Sequence, residues 1–204
     1  MNLRLLATVV GLALTTVAAH AQTDAQTGSQ TGSLNGIYIT PIAIRVSNST
    51  PDTGPYAFLG PNATSQMFYG INLGGYHNFY HQGKISAGLD VRDTLVHGNS
   101  ASLNSFLVGA RVSGSPFQRP IKPYIELSVG AGNTRAATNP VHITKLQYGA
   151  FAGADYTLNR HFDLRAIEVG YGSLTTVSSA TVGGTATVPA ATLISITTGI
   201  VLRF

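Results

Sequence analysis

The stretch ATLISITTGIVLRF, residues 191–204, decides the fold class because its side chains alternate between two characters. The even positions Ile194, Ile196, Thr198, Ile200, Leu202 and Phe204 are large and apolar except for Thr198. Most odd positions carry small or polar residues. A period of two is that of a β-strand, whose successive side chains point to opposite faces. The stretch therefore predicts a strand with one face against hydrocarbon and the other against a tighter, more polar interior.

Seven earlier segments repeat this alternation and are separated by turn residues. They are residues 37–46, 66–79, 84–97, 102–114, 122–135, 141–158 and 162–175. Their lengths suit tilted strands that cross a bilayer, which need about nine to eleven residues. Charges and glycines lie on the minority parity, the reverse of a soluble barrel with an apolar interior. We therefore predict an all-β protein, an eight-stranded antiparallel transmembrane up-and-down β-barrel whose apolar parity faces lipid.

The segment 162–175 contains one irregularity that the sequence leaves open. Asp163 and Arg165 fall on the same parity as the apolar residues Ile167 and Val169. Either the two charged residues lie at the water interface, or a β-bulge resets the register between them and the rest of the strand.

The remaining composition excludes several classes of protein. The 204 residues include no Cys, which excludes disulfide scaffolds, thiolate zinc sites and cysteine nucleophiles. The 12 basic and 8 acidic residues are dispersed, so the net charge of +4 does not indicate nucleic-acid binding. No motif predicts a metal site or a cofactor.

The N-terminal part of the chain predicts export. Arg4 precedes an apolar run, and Ala19-His20-Ala21 has the small-x-small pattern of a cleavage site. We predict a signal peptide at residues 1–21, a flexible periplasmic leader at residues 22–33 and the barrel at residues 34–204. Short connections follow the second, fourth and sixth strands, whereas long ones follow the first and seventh. This pattern predicts long loops outside the cell and both termini in the periplasm.

Charged residues on the inward parity indicate what fills the barrel. They are Arg45, Asp90, Arg92, Arg111, Glu126, Lys145, Asp155 and Glu168. A confined charge costs several kcal/mol unless it is paired. The near balance of sign therefore predicts a salt-bridged network that plugs the lumen, and the alternative is a narrow ion path lined by the same residues.

The sequence resembles the small bacterial outer-membrane β-barrels of the OmpA/OmpX-like superfamily. The resemblance rests on the signal peptide, the eight alternating segments and the final strand with Ile200, Leu202 and Phe204. It implies that these three residues form the signal read by the barrel assembly machinery. It also implies contact with outer-membrane lipid and lipopolysaccharide. OmpA itself continues into a peptidoglycan-binding domain, whereas this sequence stops at Phe204, so the resemblance implies the barrel only.

The same resemblance is specific for architecture and leaves the activity open. We predict a structural or surface-interaction protein that is not an enzyme, with an apolar patch of Tyr56, Phe58 and Leu59 in its first long loop. That patch either contacts an unknown extracellular partner or folds onto the membrane interface. The alternatives are a narrow channel for ions or small hydrophobic solutes, and a lipid-modifying enzyme that recruits His97 or His142.

Overall fold

The computed structural model describes residues 34–50, 58–59, 62–99, 101–115, 120–136, 141–176 and 190–204. These ranges contain eight strands: β1 (Asn35–Ser47), β2 (Ser65–Gln82), β3 (Ile85–Gly98), β4 (Ala101–Gly114), β5 (Ile121–Arg135), β6 (His142–Thr157), β7 (Phe162–Leu174) and β8 (Ala191–Arg203). Every strand pairs antiparallel with the next, and β8 pairs with β1, so the sheet closes into a barrel. The predicted eight-stranded antiparallel barrel is confirmed.

Closure gives every strand a hydrogen-bonded neighbour on both sides. The seam between β1 and β8 runs from the Gly36–Arg203 pair to the Ser47–Thr192 pair. The sheet therefore has no open edge, which is the condition for placing β-structure in hydrocarbon. Among the described residues, no helix is long and apolar enough to cross a membrane. The signal peptide predicted at residues 1–21 and the leader predicted at residues 22–33 lie outside the described ranges.

The connections divide the barrel into two ends that we name by their loops. Residues 83–84, 115–120 and 158–161 join strands at the turn end. Residues 48–64, 99–100, 136–141 and 175–190 join them at the loop end. The first and last strands meet at the turn end, where Asn35 and Phe204 exchange two backbone hydrogen bonds.

The outside of the barrel is an apolar belt. Its side chains are between about one third and two thirds exposed, and they include Ile39, Leu73, Leu89, Val108, Leu127, Val129, Leu146, Val169, Ile196 and Ile200. Exposure of this apolar surface to water would cost much free energy, whereas the hydrocarbon core of a bilayer would cover it. On β2 to β8 the apolar parity faces outward, as the alternation predicts.

On β1 the predicted faces are reversed, and the placement of Arg45 in the lumen is wrong. Arg45 is exposed on the outer face, whereas Ile42, Ile44 and Val46 are buried inside. The reason is that β1 carries apolar residues on both parities, so its own alternation does not identify the lumen side. Arg45 lies near the loop end of its strand, where a long basic side chain can reach the polar interface.

The irregular strand β7 contains a bulge, which decides between the two alternatives for its charged residues. Asp163 and Arg165 are both buried in the barrel, and the register against β8 shifts between Arg165 and Glu168. A bulge places two residues of one strand opposite one of its partner and so resets the alternation. Arg165 and Glu168 therefore both point inward although their numbers differ in parity.

Candidate functional site: the filled barrel interior

The interior consists of a charged layer and an apolar layer. Seven of the eight predicted lumen charges lie inside at 0–4% exposure: Asp90, Arg92, Arg111, Glu126, Lys145, Asp155 and Glu168. Asp163, Arg165 and Arg203 are buried with them, at 8% exposure or less. Of these three, Asp163 and Arg165 were missed as lumen residues because only the bulge in β7 turns them inward.

Arg92 on β3 bridges the lumen at the centre of the charged layer. Its Nη1 donates to Glu168 Oε1 at 2.9 Å on β7, and its Nη2 donates to Glu126 Oε2 at 2.5 Å on β5. The guanidinium also lies 3.9 Å from the ring centroid of Phe151 on β6. One side chain therefore ties four strands together, through its two terminal nitrogens and one face of its guanidinium.

Arg111 and Arg165 share one carboxylate in the same way. Arg111 Nη2 donates to Asp155 Oδ2 at 2.8 Å, and Arg165 Nε donates to Asp155 Oδ1 at 3.0 Å. Both guanidinium groups lie over the Tyr124 ring, at 3.8 Å and 4.9 Å from its centroid. Arg165 Nη1 also donates to Glu168 Oε2 at 3.3 Å, which connects this group to the pairs of Arg92.

Two tyrosine hydroxyls add further hydrogen bonds to the carboxylates of the charged layer. Tyr38 donates to Asp90 Oδ1 at 2.7 Å, and Tyr124 donates to Glu168 Oε2 at 2.6 Å. Each ring needs space in a narrow lumen, and a glycine on the adjacent strand provides it. The directly opposed pairs are Tyr38 with Gly74, Tyr76 with Gly36, Tyr124 with Gly153 and Phe151 with Gly170.

Two glycines of β6 test this packing, because both point inward and only one lies under a tyrosine ring. A Cβ at Gly153 would lie 2.6 Å from Tyr124 Oη and 2.8 Å from the backbone oxygen of Ile167. A Cβ at Gly149 would have its nearest neighbours at 3.3 Å. We expect Gly153→Ala to destabilise the barrel by about 1–3 kcal/mol, and Gly149→Ala by less than about 1 kcal/mol. Urea unfolding in lipid vesicles measures both, and equal losses would contradict this packing.

A smaller ion cluster closes the turn end. Asp163 Oδ2 accepts from Lys122 Nζ at 3.1 Å and lies 2.9 Å from Arg203 Nε. Arg203 Nη2 also donates to the backbone oxygen of Asn159 at 2.6 Å. Arg203 thereby links β8 to β7 and to the connection between β6 and β7.

The apolar layer fills the loop end of the barrel. Its members come from β1 to β4, β7, β8 and the first long connection, and they are Ile42, Ile44, Val46, Phe58, Leu59, Phe68, Val96, Ala101, Leu103, Leu174, Ala191 and Leu193. Phe58 stacks on Phe68 with ring centroids 5.0 Å apart and an interplanar angle of 18°.

This packing contradicts the prediction that Phe58 and Leu59 form a surface-contact patch. Phe58 and Leu59 are 4% and 2% exposed, so they belong to the interior and offer no exposed surface. Tyr56, the third member of the patch, lies outside the described residues. The physical reason is that the walls of the loop end are apolar on their inner face, and two apolar loop residues gain more by covering them than by facing water.

Two small cavities lie in the described interior. One of about 20 Å³ touches Arg92, Leu107 and Phe151, where the two layers meet. The other, of about 80 Å³, opens at the turn end beside Arg111 and Lys122. One water molecule needs about 10–15 Å³ of such space. The first cavity therefore has room for about one water molecule, and the second for a handful.

The predicted assembly residues lie together on the outer face of β8. Ile200 and Phe204 are 50% and 38% exposed, and Leu202 between them is half-buried. The two histidines considered for catalysis lie on the outer face near the loop end. His142 Nδ1 lies 2.7 Å from Asn133 Oδ1, so an amide rather than a carboxylate orients this ring. Ser100, a neighbour of His97 in sequence, lies outside the described residues.

Comparison with known proteins gives a likeness in fold. No protein-family model matches the sequence, and no curated protein matches it. The chain is similar to Neisserial surface protein A, at 15% identity over 82% of this chain and 97% of that one, with a TM-score of 0.49. It is similar to Ail, the attachment invasion locus protein of Yersinia pestis, at 13% identity over 85% of this chain and 100% of that one, with a TM-score of 0.49.

A third similar structure is the outer membrane protein OprG from Pseudomonas aeruginosa. The identity is 13% over 86% of this chain and 98% of that one, with a TM-score of 0.46. Identities this low, with TM-scores below 0.5, carry no ligand, partner or activity over to this chain.

Proposed function

We propose that this chain is a structural or surface-interaction barrel of the bacterial outer membrane with a closed interior. The observation that carries the proposal is the filling of the lumen by paired charges and an apolar layer. An ion that entered from water would have to replace partners that the buried guanidinium and carboxylate groups already hold, and separating such pairs is costly.

The location in the membrane is supported by the belt and by the closed strand pairing. Exposed apolar side chains encircle the barrel, and every strand has two neighbours, as lipid requires. The two long connections, residues 48–64 and 175–190, both lie at the loop end, which supports an orientation with both termini in the periplasm. Ile200, Leu202 and Phe204 would then present the signal for the barrel assembly machinery.

A contact with an extracellular partner would have to use residues of the loop end other than Phe58 and Leu59. Phe58 and Leu59 are buried, so their substitution would act through the packing of the apolar layer. Phe58 and Leu59 therefore support the structural role through the filling of the interior, without forming a contact surface.

The closed interior predicts that the wild-type protein is electrically silent. In planar bilayers we expect no large, stable conductance steps. The reason is that Arg92, its partners Glu126 and Glu168, and the Phe151 ring together block the cross-section of the lumen. Insertion is checked on the same sample by a gel shift between unboiled and boiled protein. Stable steps from inserted protein, or uptake of sugars by vesicles that carry it, would contradict the closed interior.

A second candidate function, the uptake of small hydrophobic solutes, is favoured by the apolar layer. Twelve buried apolar side chains cluster in the loop half of the interior, beside buried polar ones such as Ser105 and Gln147, and they reach the cavity beside Phe151. Transport of an apolar dye into vesicles without ion conductance would favour this function over the structural one.

A further inference from the structure

The distribution of charge differs sharply between the inside and the outside of the barrel. Among the described acidic residues, five are buried inside and only Asp93 lies on the outer face of a strand. Of the basic residues in the described ranges, four lie outside: Arg45 and Arg135 toward the loop end, and Lys84 and Arg160 at the turn end. The rims are therefore cationic, which favours contact with anionic groups at the membrane surface.

Arg135 belongs to a polar patch on the outer face of β4, β5 and β6, which we name the Arg135 patch. Register places Arg135 opposite His142, and Asn133 between Asn104 and Thr144. His142 Nδ1 lies 2.7 Å from Asn133 Oδ1, and Asn133 Nδ2 donates to Thr144 Oγ1 at 3.2 Å. His142, Asn133 and Thr144 are therefore held in place by one another before any ligand arrives.

The Arg135 patch lies directly above the apolar belt. The next outward-facing row of the same three strands consists of Phe106, Ala131 and Leu146. In a membrane this boundary is where acyl chains meet headgroups. The patch would therefore face the headgroup of a lipid whose chains lie on the belt.

The donors of the patch fit a phosphorylated sugar. Arg135 is half-buried and has no ion pair among the residues that the structure describes, so its fork is open to a phosphate. Asn104, Thr144 and His142 are exposed beside it and can exchange hydrogen bonds with hydroxyl groups. Arg45 offers a contrast, because its outward-facing cross-strand neighbours are Met67 and Ile194.

We propose that the Arg135 patch binds the phosphorylated sugar headgroup of a glycolipid in the outer leaflet, with Arg135 on the phosphate. The proposal rests on the membrane location proposed above. It adds a specific lipid site on one side of the barrel.

The test compares Arg135→Met with Arg45→Met, which removes the same side chain at the same end of the barrel but away from polar neighbours. Full-length protein is placed in phosphatidylcholine nanodiscs that contain bisphosphorylated lipid A or its dephosphorylated form, and bound lipid is counted by native mass spectrometry. We expect the wild type to prefer the bisphosphorylated form. Arg135→Met should weaken that binding by about tenfold or more and remove the preference, whereas Arg45→Met should retain both.

Each other outcome has a definite meaning. Equal weakening by the two variants, or a wild type without preference, would overturn the proposed site even if the protein is inserted and electrically silent. Failure of the wild type to enter nanodiscs as a barrel would overturn the membrane location itself. If Arg135→Met does not fold, Arg135→Gln and the dependence of wild-type binding on salt provide the same test, since phosphate binding must weaken as salt rises.

Discussion

Arg92→Leu should destabilise the barrel by about 3–5 kcal/mol, the cost of leaving buried partners without their counter-charge. Arg92 donates to Glu126 and Glu168, and its Nε lies 3.7 Å from Asp90 Oδ1. The substitution therefore removes a positive charge from beside three buried carboxylates. Glu168 would keep Arg165 and Tyr124. Glu126 would keep the Ser128 hydroxyl, a neutral donor. The loss of the ring contact with Phe151 adds to the effect.

The measurement is urea unfolding in lipid vesicles, and Arg45→Leu is the matched control. Arg45→Leu makes the same substitution on the outer face of β1, where we expect the free energy of unfolding to change by no more than about 0.5 kcal/mol. Adding Glu126→Gln to Arg92→Leu should recover part of the loss, because it removes one of the stranded charges. Comparable losses at Arg92 and Arg45 would show that the charged layer does not stabilise the barrel.

The strand pattern could be predicted from the sequence because its cause is local. Residues two apart on a strand share a face, so Ile194, Ile196 and Ile200 reveal the lipid side of β8 without knowledge of any partner. The same rule correctly placed Asp90, Arg92 and Glu126 inside. In each of these strands the outward parity carries most of the large apolar residues, and the inward exceptions are Val96 on β3 and Leu193 and Val201 on β8.

The errors arose where the deciding cause lies outside the strand. On β1 both parities are apolar, and Ile42 and Ile44 turn inward because the loop half of the lumen is itself apolar. On β7 the bulge between Arg165 and Glu168 is a property of its pairing with β8 and β6. Neither fact is visible in the segment alone, although the wrong parity of Asp163 and Arg165 was a signal of the second.

The loop patch failed for a related reason. An apolar run in a polar loop indicates a contact but does not identify the surface that it meets. Phe58 meets Phe68 inside the same barrel, and that pairing could be foreseen only once the inner face of the loop end was known to be apolar. The interior charges were easier to foresee, since a buried ion must find a partner wherever the strands place it.

Val129→Arg should destabilise the barrel by about 2–4 kcal/mol if the belt lies in hydrocarbon. Val129 is in the middle of β5, 54% exposed, and its cross-strand neighbours Val108 and Tyr148 also face outward. An arginine there has no polar surface within reach, so its charge must be buried in lipid or must distort the bilayer. Unfolding in lipid vesicles measures the loss.

Leu158→Arg is the control, because Leu158 is equally exposed, at 56%, but lies in the connection at the turn end. At that depth the side chain can reach water and headgroups, and the expected cost falls to about 0–1 kcal/mol. A surface in water would tolerate both substitutions alike, since an exposed arginine costs little there. The difference between the two positions, rather than either value alone, therefore measures whether the belt is covered by lipid.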